Sequence, residues 1–189
     1  MTNTVKTTKQ LVIFWDGWPS QWHPSPFEID GVQYNCCEQY MMAEKARVFG
    51  DEEAEGLVME VDNPRLQKAI GRRVADFDAK QWDSVCRGIV YQGNLAKFEQ
   101  NPDLRNELMQ TAERIIVEAS PFDQIWGVGL APDDPRVLDQ DAWRGMNWLG
   151  IAVMQVREEL KRREGLPSKD IERALVEGQL EARQAIETG

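Results

Sequence analysis

The amino-acid sequence predicts an α+β fold, a predominantly helical single domain around a small β-sheet. Three observations carry this expectation. Apolar residues recur at helical spacing through most of the chain, β-like runs are few and short, and 189 residues with 42% hydrophobic content can bury one sizeable core. The polar residues 1–10 read as a flexible N-terminus, 11–163 as the folded domain, and 164–189 as a charged C-terminal helix or tail.

The first strand is expected at residues 11–15, an apolar run stopped by the turn residues Asp16-Gly17-Trp18-Pro19. Phe27-Glu28-Ile29 and Val32-Gln33-Tyr34 alternate in polarity around Asp30-Gly31, a dipeptide that suits a two-residue hairpin turn. Asn35 reads as a helix N-cap with Glu38 three residues on, opening a helix through Tyr40, Met41, Ala43, Lys45 and Val48 that stops at Gly50. A second helix is expected over 52–60, and a third from Asn63-Pro64 to Gly71, with proline at its start and glycine at its end. Asp78 and Gln81 form another capping box, after which Trp82, Val85, Cys86 and Ile89 repeat at helical spacing toward Phe98, past Gly93. Asn101-Pro102 starts a helix with Leu104, Leu108 and Met109 inward, and Ile115-Ile116-Val117 is β-branched enough for a strand. Residues 127–145 read as a long polar loop carrying Asp133, Asp134, Asp139 and Asp141. A last core helix covers 149–163, with Leu149, Val153, Val156 and Leu160 on one face.

Composition narrows the chemistry. With 32 Asp+Glu against 22 Lys+Arg the net charge is -10, which repels nucleic acid and anionic membranes at long range. An anionic ligand must therefore be met by a local basic pocket. No apolar run long enough to span a bilayer exists and residues 1–10 have no apolar core, so the expected address is cytoplasmic, with no membrane partner. Cys36, Cys37 and Cys86 lack the spacing of a zinc site and the even count of a disulfide scaffold, and read as reduced, mostly buried small hydrophobes. His23 is the only histidine, which excludes a multi-His metal centre and leaves one possible base for a triad. No nucleophile pattern lies beside it, so it reads as a loop residue. No metal or other cofactor is implied, and carboxylates remain the natural acid–base groups.

Several residues could carry such chemistry, each with a plainer alternative. Glu38 is explained as half of a capping box, yet its cysteine, methionine and tyrosine neighbours would raise its pKa toward acid–base use. In Asp123-Gln124-Ile125-Trp126-Gly127-Val128-Gly129 a carboxylate, an indole and two glycines lie together after a strand. Trp126 could face a nucleobase or ribose while Gly127 and Gly129 let backbone approach a ligand, or it could anchor the core beside an ordinary turn. Arg72-Arg73 could clamp a phosphate or be a solvated pair. The four loop aspartates lack the Gly and Glu of an EF-hand and read as solvated.

Taken in order, these segments resemble the NADAR family. The resemblance runs from about Phe14 to Leu160. It rests on Phe27-Glu28-Ile29-Asp30-Gly31-Val32-Gln33-Tyr34, on Cys37-Glu38-Gln39-Tyr40-Met41-Met42-Ala43-Glu44-Lys45-Ala46, on Gly71-Arg72 with Trp82-Asp83, and on Ala96-Lys97-Phe98. The remaining pieces are Val117-Glu118-Ala119-Ser120-Pro121-Phe122-Asp123-Gln124-Ile125-Trp126-Gly127-Val128-Gly129-Leu130 and Trp143-Arg144-Gly145-Met146-Asn147-Trp148-Leu149-Gly150. The resemblance implies an α+β domain over 11–163 that hydrolyses N-glycosidic bonds to a phosphorylated ribose. It implies Glu38 as the catalytic carboxylate and Asp123 as a polar site residue. Trp82 and Trp126 become pocket walls, and Lys45, Arg72, Lys97 and Asn147 ligands for ribose and phosphate. Relative to the short riboflavin-type version, Val128 stands where an aspartate can follow Trp-Gly, and the loop to Gly145 is longer. The expected substrate is therefore ADP-ribose joined to guanine in nucleic acid. A phosphoribosylamino-pyrimidine of riboflavin synthesis is the alternative, and a non-catalytic ADP-ribose or NAD reader the alternative of another class.

Overall fold

The computed structural model describes residues 5–174. Strands β1 (Lys6–Thr7) and β2 (Leu11–Phe14) come first, then a hairpin of β3 (Phe27–Ile29) and β4 (Val32–Tyr34). Five helices follow: α1 (Cys37–Phe49), α2 (Glu52–Glu60), α3 (Pro64–Gly71), α4 (Ala79–Gln100) and α5 (Pro102–Gln110). The chain then returns to the sheet as β5 (Ile115–Glu118), crosses a long loop with two 3-10 turns (Pro135–Leu138 and Gln140–Ala142), and enters α6 (Trp148–Arg163). The α+β class, with helices predominating, is the one the sequence predicts.

β5 pairs in parallel with β2, from Leu11 opposite Ile115 to Phe14 opposite Glu118, while β1 joins the other edge of β2 antiparallel. Parallel strands cannot be joined by a tight turn, and here helices α1 to α5 make the connection. Every residue of β2 is buried because both sheet faces are covered. Val12, Phe14 and Ile116 meet Leu149, Val153 and Val156 of α6 in the main core, whereas Leu11, Ile13 and Val117 meet Val128, Leu130 and Val137 on the other side. Alternation of period two therefore runs through an unbroken apolar sequence. The stretch 127–145, expected as a polar loop, is one layer of the fold on its inner side.

Three further expectations are corrected. The N-cap of α1 is Cys36, not Asn35, and no side chain caps it. Asn35 instead donates its N–H to Gln39 Oε1 (2.8 Å), and the Gln39 amide reaches the Val58 carbonyl at 3.2 Å, tying the start of α1 to α2. Glu38 is thereby free of capping duty. The N-terminus is not loose throughout, because Lys6 and Thr7 pair with Ile13 and Val12; residues 1–4 lie outside the described residues. The segment after 164, read as a charged helix or tail, is docked where it is described: Ile171 is buried against the main core and Lys169 pairs with Glu113 at 2.6 Å. Its continuation, 175–189, lies outside the described residues. All three cysteines are free and buried, as expected. Among the described residues no helix is long and apolar enough to cross a membrane.

Candidate active site

A cavity of about 1110 Å³ opens where the carboxyl ends of β2 and β5 meet α1 and α3. Ligands of open sheets gather at the carboxyl ends of parallel strands. Here Trp15 and Asp16 follow β2, Glu118 ends β5, and Ser120 follows it, all on the cavity lining.

Carboxylates and indoles form one part of the site. Glu38, in the first turn of α1, is 4% exposed; its Oε2 accepts a hydrogen bond from Trp22 Nε1 at 3.1 Å, and its Oε1 has no partner among the described residues. Burial raises its pKa above the usual 4.5, opposed chiefly by Lys68 and then by the Trp22 N–H. Glu118 is pushed up to about 8, first by burial and next by Asp123, and its Oε2 is likewise without a partner. Asp123 accepts the N–H groups of Ile125 (3.0 Å) and Trp126 (2.8 Å) on Oδ1, so its carboxylate first of all fixes the turn that presents Trp126. That indole packs edge-on against Trp148, with centroids 5.8 Å apart, and shows its remaining surface to the cavity.

Cations form the other part. Arg65, Lys68 and Arg72 recur at i, i+3 and i+7 along α3 and its C-cap, a spacing that puts them on one helix face, and all three line the cavity. Lys45 of α1 joins them, its Nζ donating to the Gly71 carbonyl at 2.8 Å. Trp15 and Phe122 stand at the rim, 48% and 87% exposed, with ring centroids 6.1 Å apart. Among the described residues no group of three or more His, Cys, Asp or Glu is arranged to hold a metal ion.

Of the residues singled out in the sequence, Glu38, Asp123, Lys45, Arg72 and Trp126 line this cavity. The other five stand behind it. Trp82 lies 5.7 Å from Lys45 Nζ and supports that side chain from outside the lining. Lys97 is fully buried and donates to the Ser20 carbonyl (2.9 Å), which anchors the loop bearing Gln21 and Trp22 instead of leaving a cation for phosphate. Asn147, in left-handed conformation ahead of α6, donates to the Ile116 carbonyl (2.9 Å) and accepts the Glu118 N–H (3.0 Å). Gly127 is packed rather than ligand-facing: a Cβ there would sit 2.8 Å from the Glu118 carbonyl. Gly129 adopts φ of 69° beneath Arg144. Val128 is fully buried in the second core cluster and does not face the cavity.

The sequence reading overlooked Trp22, Lys68, Arg65 and Glu118. The α3 cations had a visible signal in their helical spacing. Glu118 had one too, as an acidic residue ending a β-branched run. Trp22 had none, because its contact with Glu38 spans a loop without regular structure.

Glu38, Glu118 and Asp123 share one cavity with a row of cations, an arrangement that can hold an anionic group beside a carboxyl group. The NADAR domain model matches residues 13–161, and the chain belongs to the NADAR family. It is 43% identical over 145 residues to N-glycosidase R617 of Acanthamoeba polyphaga mimivirus, covering 74% of this chain and 85% of that protein. N-glycosidase YbiA of Escherichia coli strain K12 is 31% identical over 135 residues, covering 71% and 76% respectively. The NMR structure of E. coli YbiA superposes with a TM-score of 0.70 at 26% identity, covering 89% of this chain and 95% of that one.

Proposed function

We propose that this protein hydrolyses the N-glycosidic bond between ADP-ribose and a guanine base of nucleic acid, reversing guanine ADP-ribosylation. The reaction class follows from the family, whose similar members are named N-glycosidases. One observation carries the choice of substrate: the α3 row Arg65, Lys68 and Arg72 shares a cavity of about 1110 Å³ with Glu38. That volume lies just above the ~300–1,000 Å³ range of small-ligand sites. A diphosphate joining two nucleosides matches a row of cations better than a single phosphate does, since guanidinium binds phosphate in a bidentate way. The exposed Trp15 and Phe122 rings at the rim suit a base outside the cleft.

Breaking the bond sends both C1′–N electrons to the base and builds positive charge on the ribose. The Glu38 carboxylate stabilises that oxocarbenium-like centre and orients or deprotonates the attacking water. Trp22 fixes the carboxylate by its N–H, Trp126 offers an indole face, and the α3 cations hold the phosphates away from the scissile bond. We assign the protein to the cytosol, where three free thiols stay reduced. The test is direct. The protein is incubated in parallel with ADP-ribosylated guanine DNA and with phosphoribosylamino-pyrimidine riboflavin intermediates, and released ADP-ribose or ribose 5-phosphate is measured by chromatography. Release of ADP-ribose from DNA at the higher kcat/KM is expected, and cleavage of the riboflavin intermediates alone would overturn the substrate assignment.

A further inference from the structure

We propose that Glu118 is a second catalytic residue, the general acid that protonates the departing base while Glu38 serves as the carboxylate at the anomeric carbon. The inference rests on the reading of Glu38 given above, and it applies to whichever N-glycoside the protein cleaves.

The main chain of Glu118 is pinned from every side. Its N–H donates to Asn147 Oδ1 (3.0 Å), its carbonyl accepts the Val128 N–H (2.9 Å), and Gly127 leaves no room for a Cβ against that carbonyl. Pairing of β5 with β2 sets Glu118 opposite Phe14. Its side chain has no comparable duty. Glu118 lines the cavity, and its Oε2 is shut from solvent with no hydrogen-bond partner among the described residues. A fold that fixes a residue's backbone from three sides while leaving a buried carboxyl oxygen unpaired tolerates a cost that structure alone does not explain. A carboxyl group that keeps its proton tolerates that burial, and the cavity beside Glu118 gives the proton somewhere to go.

The two glutamates face different surroundings, and the difference sorts their roles. Glu38 receives an N–H from Trp22 and has Lys68 and Arg72 nearby, all of which favour its anion. Among the described residues none donates to the Glu118 carboxyl. The ionisable groups around it are Asp123 from its own loop, Glu38 from α1 and Lys68 from α3, with Asp16 after β2 also on the lining; α6 contributes the neutral Asn147. Two anions against one cation, added to burial, hold Glu118 in its acid form, with its titration pushed up to about 8. Environments that separate two carboxyl groups in this way assign one as base and the other as acid.

The step balances. As C1′–N breaks, its electron pair goes to the base and the Glu118 O–H proton moves onto the base, so the base leaves neutral and Glu118 becomes a carboxylate. Water oxygen bonds C1′ and loses a proton to Glu38. Exchange with solvent returns both groups to their starting states, with one water consumed.

The experiment compares wild type with Glu118→Gln and Glu38→Gln on the same substrate, using kcat/KM from pH 5 to 10 and binding of ADP-ribose read by tryptophan fluorescence. Glu118→Gln keeps the shape but cannot release a proton. It is expected to lower kcat by roughly 100-fold or more, the range for general acid catalysis, while ADP-ribose affinity changes less than about threefold, within the range of a neutral substitution. Wild-type kcat/KM should fall as pH rises through about 8, because the acid form is lost, and that alkaline limb should be missing in Glu118→Gln. A Glu118→Gln enzyme with near-wild-type kcat, or one that keeps the alkaline limb, overturns the proposal. Should the variant not fold, as shown by circular dichroism, the wild-type profile still decides, since the absence of any alkaline limb refutes an acid at this position. Full activity in Glu38→Gln would overturn the reading of Glu38 and leave the Glu118 result standing on its own.

Discussion

Replacing Glu38 by glutamine should slow the enzyme and stabilise the fold at the same time. Glu38 is 4% exposed, and its one direct donor among the described residues is Trp22 Nε1 at 3.1 Å, a bond the glutamine carbonyl can keep accepting. Packing is therefore preserved while the charge is lost. Removing one preorganised electrostatic group from a site where charge develops typically costs about 10²–10³ in kcat, and a loss of at least that size is expected here. Stability moves the other way. The folded-state pKa is raised above 4.5 by burial, so below the usual carboxylate range both folded and unfolded chains carry the neutral acid and the variant gains nothing. As pH rises from there toward the folded pKa, the unfolded chain ionises first and wild type loses stability that the glutamine variant retains. Each 1 kcal/mol so relieved appears as about 2–4 °C in Tm for a domain of this size. The assay pairs steady-state kinetics at pH 7.5 with calorimetric melts at pH 4 and pH 7.5. Equal melting points at pH 4, a higher Tm for the variant at pH 7.5 and a large loss of kcat are expected together. A variant that melts lower than wild type at pH 7.5, or turns over at near-wild-type rate, would refute the account of Glu38 as a destabilised catalytic carboxylate.

Trp22→Phe keeps an aromatic ring but removes the N–H that favours the Glu38 anion, so the acid limb of kcat/KM should move to higher pH, and an unmoved limb would separate Trp22 from the chemistry. Trp126→Ala should reduce kcat/KM by an amount matching the ~1–3 kcal/mol of base–aromatic stacking. Because this indole is partly exposed, its deletion should cost less stability than the ~3–5 kcal/mol typical of a buried tryptophan, as measured by urea unfolding. Asn147→Ala strands the Ile116 carbonyl and the Glu118 N–H in the core and should destabilise by about 2–4 kcal/mol, with a fall in kcat from a displaced Glu118. A melt within 1 °C of wild type would contradict that bridging role.

Local pattern made most of the fold legible. The Asp30-Gly31 turn, the Asp78 cap and the period-two alternation of β3 and β4 are encoded within a few residues, and the structure follows them. What pattern could not give was partnership over long separation. Asn35 carries the residue type of a cap, yet Gln39 takes its N–H and leaves Glu38 free, an outcome set by how α1 docks on α2. Lys97 lies in a motif that suggests phosphate binding, and the structure turns it inward to the Ser20 carbonyl, 77 residues away in sequence. Residues 127–145 looked solvated because their aspartates dominate the composition, whereas Val128, Leu130 and Val137 cover one sheet face. For the site, local pattern left Glu38 between a cap and an acid–base group, the resemblance singled it out, and the structure sets it on the cavity with no capping role. Glu118 was marked as an acidic residue at the end of a β-branched run, but its place on the cavity depends on a register that only the pairing with β2 fixes.

A net charge of -10 looks unsuited to the polyanionic ligand proposed above, yet bulk charge is not what such a ligand would meet. At physiological ionic strength the Debye length is about 8 Å, so acids on distant surfaces are largely screened from the cleft. The lining itself carries Lys6, Lys45, Arg65, Lys68 and Arg72 against Asp16, Glu38, Glu118, Asp123 and Asp133, five of each sign. On the assignment proposed for Glu118, its carboxyl is neutral below about pH 8 and the balance tips to positive. The same proton that is delivered to the base then also lowers the repulsion felt by the incoming phosphates. Substrate affinity should accordingly weaken as pH rises through the alkaline limb, and it should do so more steeply in wild type than in Glu118→Gln, where that position never acquires charge.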